Sequence, residues 1–173
     1  MKKYLGKIIT GVSILLALVA FFMMFAPAAV ASVEVLGKTV SNSYTGSNLA
    51  FGLTESTEVL GHTVEAKIFA ASANILTYIL LFAGIVCAVV AILGKGGKIV
   101  SFVAMACFVA AGVLFFCSIQ LCAPYTEFEG DAKKDYIKAI KESLDLGAGA
   151  IVGGVLSIVA GAAALVPIFV KSK

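Results

Sequence analysis

Four stretches of this chain run for about 20 residues with no Lys, Arg, Asp or Glu, and no other feature constrains its folding as strongly. They cover roughly residues 8–30, 74–93, 99–122 and 148–170; the first reads IITGVSILLALVAFFMMFAPAAV. Each is long enough to cross the hydrocarbon core of a bilayer. An open strand in lipid leaves its backbone groups unpaired, so helices are the expected form. Composition agrees. Hydrophobic residues make up 61% of the 173 and charged residues 13%, about half the charged share of a soluble domain.

Charge orients the four spans. Cytoplasmic flanks of membrane helices carry an excess of Lys and Arg. Lys2, Lys3 and Lys7 precede the first span, Lys95 and Lys98 lie in the GKGGK turn, and Lys171 and Lys173 follow the fourth. If every span crosses, these seven Lys share one face with no acid. The other face holds six Lys and ten acids, so +7 and −4 give the net +3 of the chain. This places both termini in the cytoplasm and the two longer loops outside, with a plasma membrane as the location. A second reading treats MKKYLGK, the apolar run and APAAVA as a signal peptide cut after Ala31. It leaves three spans with the same orientation. The 18 or so apolar residues before Pro27 exceed the usual signal core of about 7–15, which favours an uncleaved anchor.

The resulting organisation is a cytoplasmic start and first span (1–31), an outer loop (32–73), a second span (74–93), an inner turn (94–98), a third span (99–122), a second outer loop (123–147), a fourth span (148–170) and a cytoplasmic tail (171–173). The fold class is a mainly α membrane protein. It is a bundle of four transmembrane helices carrying a small extracellular antiparallel β-sheet and a short amphipathic helix.

The sheet is expected from a repeat. SVEVLGKTV at residues 32–40 returns as STEVLGHTV at 56–64, with seven of nine letters alike. Gly at the first central position of a two-residue turn suits a hairpin. Gly37-Lys38 and Gly61-His62 are therefore the expected turns, with Val35 facing Val40 and Val59 facing Val64. A lone hairpin is marginal in water, so the two copies are expected to pair into one sheet. Tyr44, Leu49, Phe51 and Leu53 from the linker would cover a face of it. This register sets Glu58 opposite Glu65, a like-charge pair.

In the second loop Asp131 is the expected N-cap of AKKDYIKAIKESL. Tyr136, Ile137, Ile140 and Leu144 give that helix one apolar stripe, laid on the membrane surface or against the sheet. Span four carries Gly149, Gly153, Ser157 and Gly161 at four-residue spacing. Such a ladder lets helix backbones approach closely, inside the bundle or between copies.

Chemistry is not written here. The spans hold no ionisable side chain of the kind that flags transport sites. There is no Arg, one His and no Cys-x-x-Cys pair, and Cys87, Cys107, Cys117 and Cys122 read as packing residues. No catalytic, cofactor-binding or metal residue is assigned, and no basic, aromatic-interleaved groove suggests nucleic acid.

The layout resembles the claudin-like tetraspan superfamily: four spans, inner termini, a long first outer loop built as a sheet, a tight inner turn and a shorter second loop. That family's loop Trp and Cys pair have no counterpart beside Phe51–Leu53, so no functional residue carries over. The resemblance implies a structural or cell-contact role. The expected function is accordingly that of a structural or accessory membrane protein presenting an outer platform to a protein partner, or to further copies of itself. The alternative is a subunit of an oligomeric pore or transporter.

Overall fold

Helical periodicity places the small residues of the apolar stretches on one stripe and the large ones on the other. In the computed structural model, which describes residues 2–35, 38–59, 62–94 and 97–169, that division sorts the helices. Their contacts form one of two compact units, made of residues 1–23, 76–116 and 151–173; the other holds 24–75 and 117–150.

The helical unit contains α1 (Lys2–Phe22), a 3-10 turn beginning at Met23, α3 (Ile75–Ile92), α4 (Gly97–Phe116) and α7 (Ala148–Phe169). All four α-helices are long and apolar enough to cross a membrane. The interior is built from small side chains. Ser13, Ala17, Ala20, Ala104, Ala111, Ser157 and Ala160 are fully buried, beside Leu81 and Phe108. Phe22, Ile79, Phe82, Phe102, Val155 and other large apolar side chains face outward. This reverses the pattern of a soluble bundle and matches helices whose contacts rest on close approach rather than on hydrophobic drive. Two contacts set the packing. The Ser13 hydroxyl donates to the Ala160 carbonyl at 2.6 Å, tying α1 to α7. Gly112 leaves no room beside α7: a Cβ built there lies 2.6 Å from Ile158 Cγ1.

The second unit follows the chain between spans. β1 (Pro27–Val35) and β2 (Lys38–Thr45) form one hairpin, and β3 (Leu53–Val59) and β4 (His62–Ala70) another. Between them lies α2 (Gly46–Phe51), capped where the Thr45 side chain accepts from the Asn48 N–H. The second loop supplies α5 (Ser118–Leu121), β5 (Ala123–Pro124), α6 (Gly130–Glu142) and β6 (Leu144–Leu146).

Several expectations are corrected. The two repeat copies do not pair into one sheet. They lie in separate antiparallel sheets, ordered β2-β1-β6 and β3-β4-β5, each with a third strand from the second loop. The physical requirement for three strands is met, but by different partners. The register also differs. Val35 pairs with Lys38 and Val59 with His62, two residues short of the expected partners. Glu58 therefore faces Thr63, and Glu65 faces Ser56, which removes the like-charge pair. The first helix stops before Pro27, and Ala28–Val30 belong to β1 rather than to a span. The third ends at Phe116: its 20 residues already reach about 30 Å, enough to span. The chain turns at Cys117, and the Asn74 side-chain amide donates to the Ser118 carbonyl just beyond, at 3.0 Å. Finally, α6 starts at Gly130 with Glu129 as its N-cap. Asp131 sits in the first turn, where it pairs with Lys134 at 3.0 Å.

Candidate functional site

Both hairpins are anchored at the root and open further out. β6 pairs with β1 only at Ala29–Ala31. β5 pairs with β4 only at Phe69–Ala70, and the Tyr125 N–H extends this by donating to the Ile68 carbonyl. Around these roots the core is tight. Ala28, Ala29, Leu49, Ala50 and Phe69 are buried, and the Tyr44 ring meets Phe69 edge-on with centroids 5.0 Å apart. Of the four linker side chains expected over the sheet, Leu49 lies in this core, Tyr44 and Leu53 are half-buried, and Phe51 is exposed. α2 touches β1, β2 and β4, so it joins the two sheets.

Beyond the roots each hairpin is a two-stranded ribbon among the described residues. Nine-residue strands such as β1 and β4 reach about 30 Å. Ser41, Asn42 and Ser43 are all exposed, as are Thr54–Ser56 and Glu65–Lys67. Successive strand residues point to opposite faces, so both faces of each ribbon meet solvent. Their long edges carry backbone N–H and C=O groups without a neighbouring strand.

The residues expected to form hairpin turns are distributed differently. Lys38 and His62 are the first residues of β2 and β4, while Gly37 and Gly61 lie outside the described residues. The ladder of α7 is occupied within the chain. A Cβ on Gly153 would lie 3.0 Å from the Phe115 ring, one on Gly161 2.9 Å from Val109, and one on Gly149 2.8 Å from Ala26. Ser157 donates its hydroxyl to the Gly153 carbonyl at 2.7 Å.

Between the two sheet roots and α6 lies a cavity of about 200 Å³, lined by Tyr44, Phe69, Tyr125, Tyr136 and Ile140 among others. Lys67 Nζ stands 5.7 Å from the Tyr125 ring centroid, a cation–π contact between two residues that line the cavity. The apolar stripe of α6 thus turns toward the sheets at Tyr136 and Ile140. No residue of α6 is buried, so this packing is shallow. Cys122 lies nearby, buried; burial pushes its thiol pKa up, and the Lys141 ammonium pulls the other way. No group of three or more His, Cys, Asp or Glu suited to a metal occurs among the described residues.

The sequence did not announce Tyr125 or β5, whereas the stripe carrying Tyr136 and Ile140 was expected against the sheet or the membrane. A two-residue strand holding a proline carries no periodicity to detect. The arrangement offers shape, open strand edges and aromatic surface. Comparison with known families, curated proteins and solved structures finds no match to this chain.

Proposed function

We propose that the chain is an integral membrane protein of the plasma membrane with cytoplasmic termini, and that its two hairpin arms are an outer docking platform for another protein. The observation that carries this reading is the pair of ribbons exposed on both faces with open edges. Natural proteins cover, shorten or charge such edges, and an extended segment of a partner adds a strand to one through backbone hydrogen bonds. The inside-out helices support the membrane placement. The Lys asymmetry supports the orientation. The uncleaved anchor is supported by β1 itself, since cutting after Ala31 divides a strand at its doubly paired residues. The claudin-like layout is proposed as a likeness of organisation, a structural role without catalysis. The pore reading has less support, because the small-residue face of α7 is filled by the chain's own side chains.

The test is recovery of the intact chain from membranes in mild detergent with its companions. Variants carrying Pro at Ser41 and Ser43, or at Thr54 and Ser56, block one arm each. A specific companion lost from either arm variant, yet retained by a Phe102→Leu variant of α4, supports the platform. A companion set indifferent to both arms rejects it. Solute flux through liposomes holding the pure protein would favour the pore.

A further inference from the structure

Four of the six Lys expected on the outer side lie on one helix, α6: Lys133, Lys134, Lys138 and Lys141. Three of them, Lys134, Lys138 and Lys141, follow the spacing of a single helical face. With Ile137, Glu142 and Ile119 they line a cleft of about 460 Å³ between α6 and α5. The cleft is amphipathic: Ile119 and Ile137 give it apolar surface, and the lysines bring a row of cations about 10 Å long. Lys141 is fixed there by donating to the Gln120 carbonyl at 2.6 Å. Lys134 pairs with Asp131 at 3.0 Å and Lys138 with Glu142 at 3.8 Å, all with highly exposed side chains. Such exposed pairs are weak and exchange readily for a stronger anion.

Ile119 is three residues beyond Phe116, the last residue of α4. Three residues reach at most about 10 Å, so α5 follows directly on α4 in the chain. An apolar surface flanked by cations suits a ligand with a phosphate at one end and an acyl chain at the other.

We propose that the α5–α6 cleft binds an anionic phospholipid, its phosphate held by Lys134, Lys138 and Lys141 and the start of its acyl chain on Ile119 and Ile137. The proposal rests on α4 being a membrane span and is independent of any protein docking on the arms. The bound lipid covers one flank of a helix that buries none of its own residues, and so fixes α6 against the sheets.

The test uses the full-length chain in a neutral, delipidated detergent, with native mass spectrometry against phosphatidylglycerol, phosphatidylcholine of the same acyl chains, and inorganic phosphate. Phosphatidylglycerol is expected to bind at least ten-fold more tightly than phosphatidylcholine, and equimolar inorganic phosphate should not displace it. The K134Q/K138Q variant, which keeps the Lys141 contact, should lose at least ten-fold in this affinity, and K133Q, outside the cleft, little. Far-UV circular dichroism checks that both variants stay folded. Equal retention of the two lipids, or equal loss in K133Q and K134Q/K138Q, overturns the site. Displacement by inorganic phosphate overturns the acyl part and leaves an anion site alone. None of these outcomes bears on partner recovery through the arms, so the two readings fail separately.

Discussion

Gly112→Ala probes the helical unit at its tightest backbone approach. The new methyl would lie 2.6 Å from Ile158 Cγ1, 3.0 Å from the Gly154 carbonyl oxygen and 3.3 Å from the Ile158 nitrogen. A side-chain tip can rotate away; two backbone atoms of α7 cannot, so α4 and α7 must separate. Overpacking of this kind costs about 1–3 kcal/mol. Alanine returns about 0.5–1 kcal/mol through helix propensity. Because the obstruction is backbone, the expected net loss lies toward the upper end, about 1.5–2.5 kcal/mol. At about 2–4 °C per kcal/mol for a chain of this size, the melting temperature falls by about 3–10 °C. Gly11→Ala is the matched control, since nothing lies within 4 Å of its Cβ; it should leave the melting temperature unchanged or raise it by about 1–4 °C. Both variants and the parent are melted in the same detergent at one scan rate, followed by circular dichroism at 222 nm, because unfolding of membrane proteins is often irreversible. Equal shifts for the two variants, or no loss for Gly112→Ala, would refute the α4–α7 contact and with it the claim that the ladder is filled within one chain.

Ser13→Ala removes the buried bond to the Ala160 carbonyl; the expected loss is about 0.6 kcal/mol, near the mean for such bonds between membrane helices, read as a small drop in the same melt. Asp145→Pro interrupts β6 where it faces Val30. Hydrogen exchange at Ala29–Ala31 should accelerate at least ten-fold while Phe69 and Ala70 stay protected, and acceleration in both arms would mean one cooperative sheet instead of two. In a chain with its four cysteines replaced by alanine, a membrane-impermeant maleimide should label Ser43→Cys on intact cells and Lys98→Cys only after permeabilisation. Labelling of both from the same side contradicts the orientation drawn from the lysines.

The helices were legible because membrane insertion depends on length and hydropathy, both of which are read along the chain without knowing its neighbours. Their ends were less so. Ala28–Val30 is as apolar as the span before it, and the pairing of Ala29 and Val30 with β2 and β6 marks it as strand. The hairpins were legible from the doubled phrase, but the register was off by two residues. Turn chemistry favoured a glycine first, whereas the observed pairing brings Glu58 to Thr63 rather than to Glu65. The stripe of α6 was visible as periodicity. What it faces was not, since Tyr136 and Ile140 line a cavity whose other walls, Tyr44 and Phe69, stand in the other loop.

By itself, then, the sequence determined four apolar helices, two β-hairpins and one amphipathic helix, because each depends on residues near one another in the chain. Only the tertiary structure decided that the repeat copies part company, one taking β6 and the other β5 as its third strand. It also decided that the small residues of α7 meet Phe115 and Val109 of the same chain. Those choices rest on contacts between segments about a hundred residues apart for β1 and β6 and some fifty for β4 and β5. Strands of two or three residues have no local preference strong enough to announce their partners, so the partners are set by where the longer elements bring the chain together.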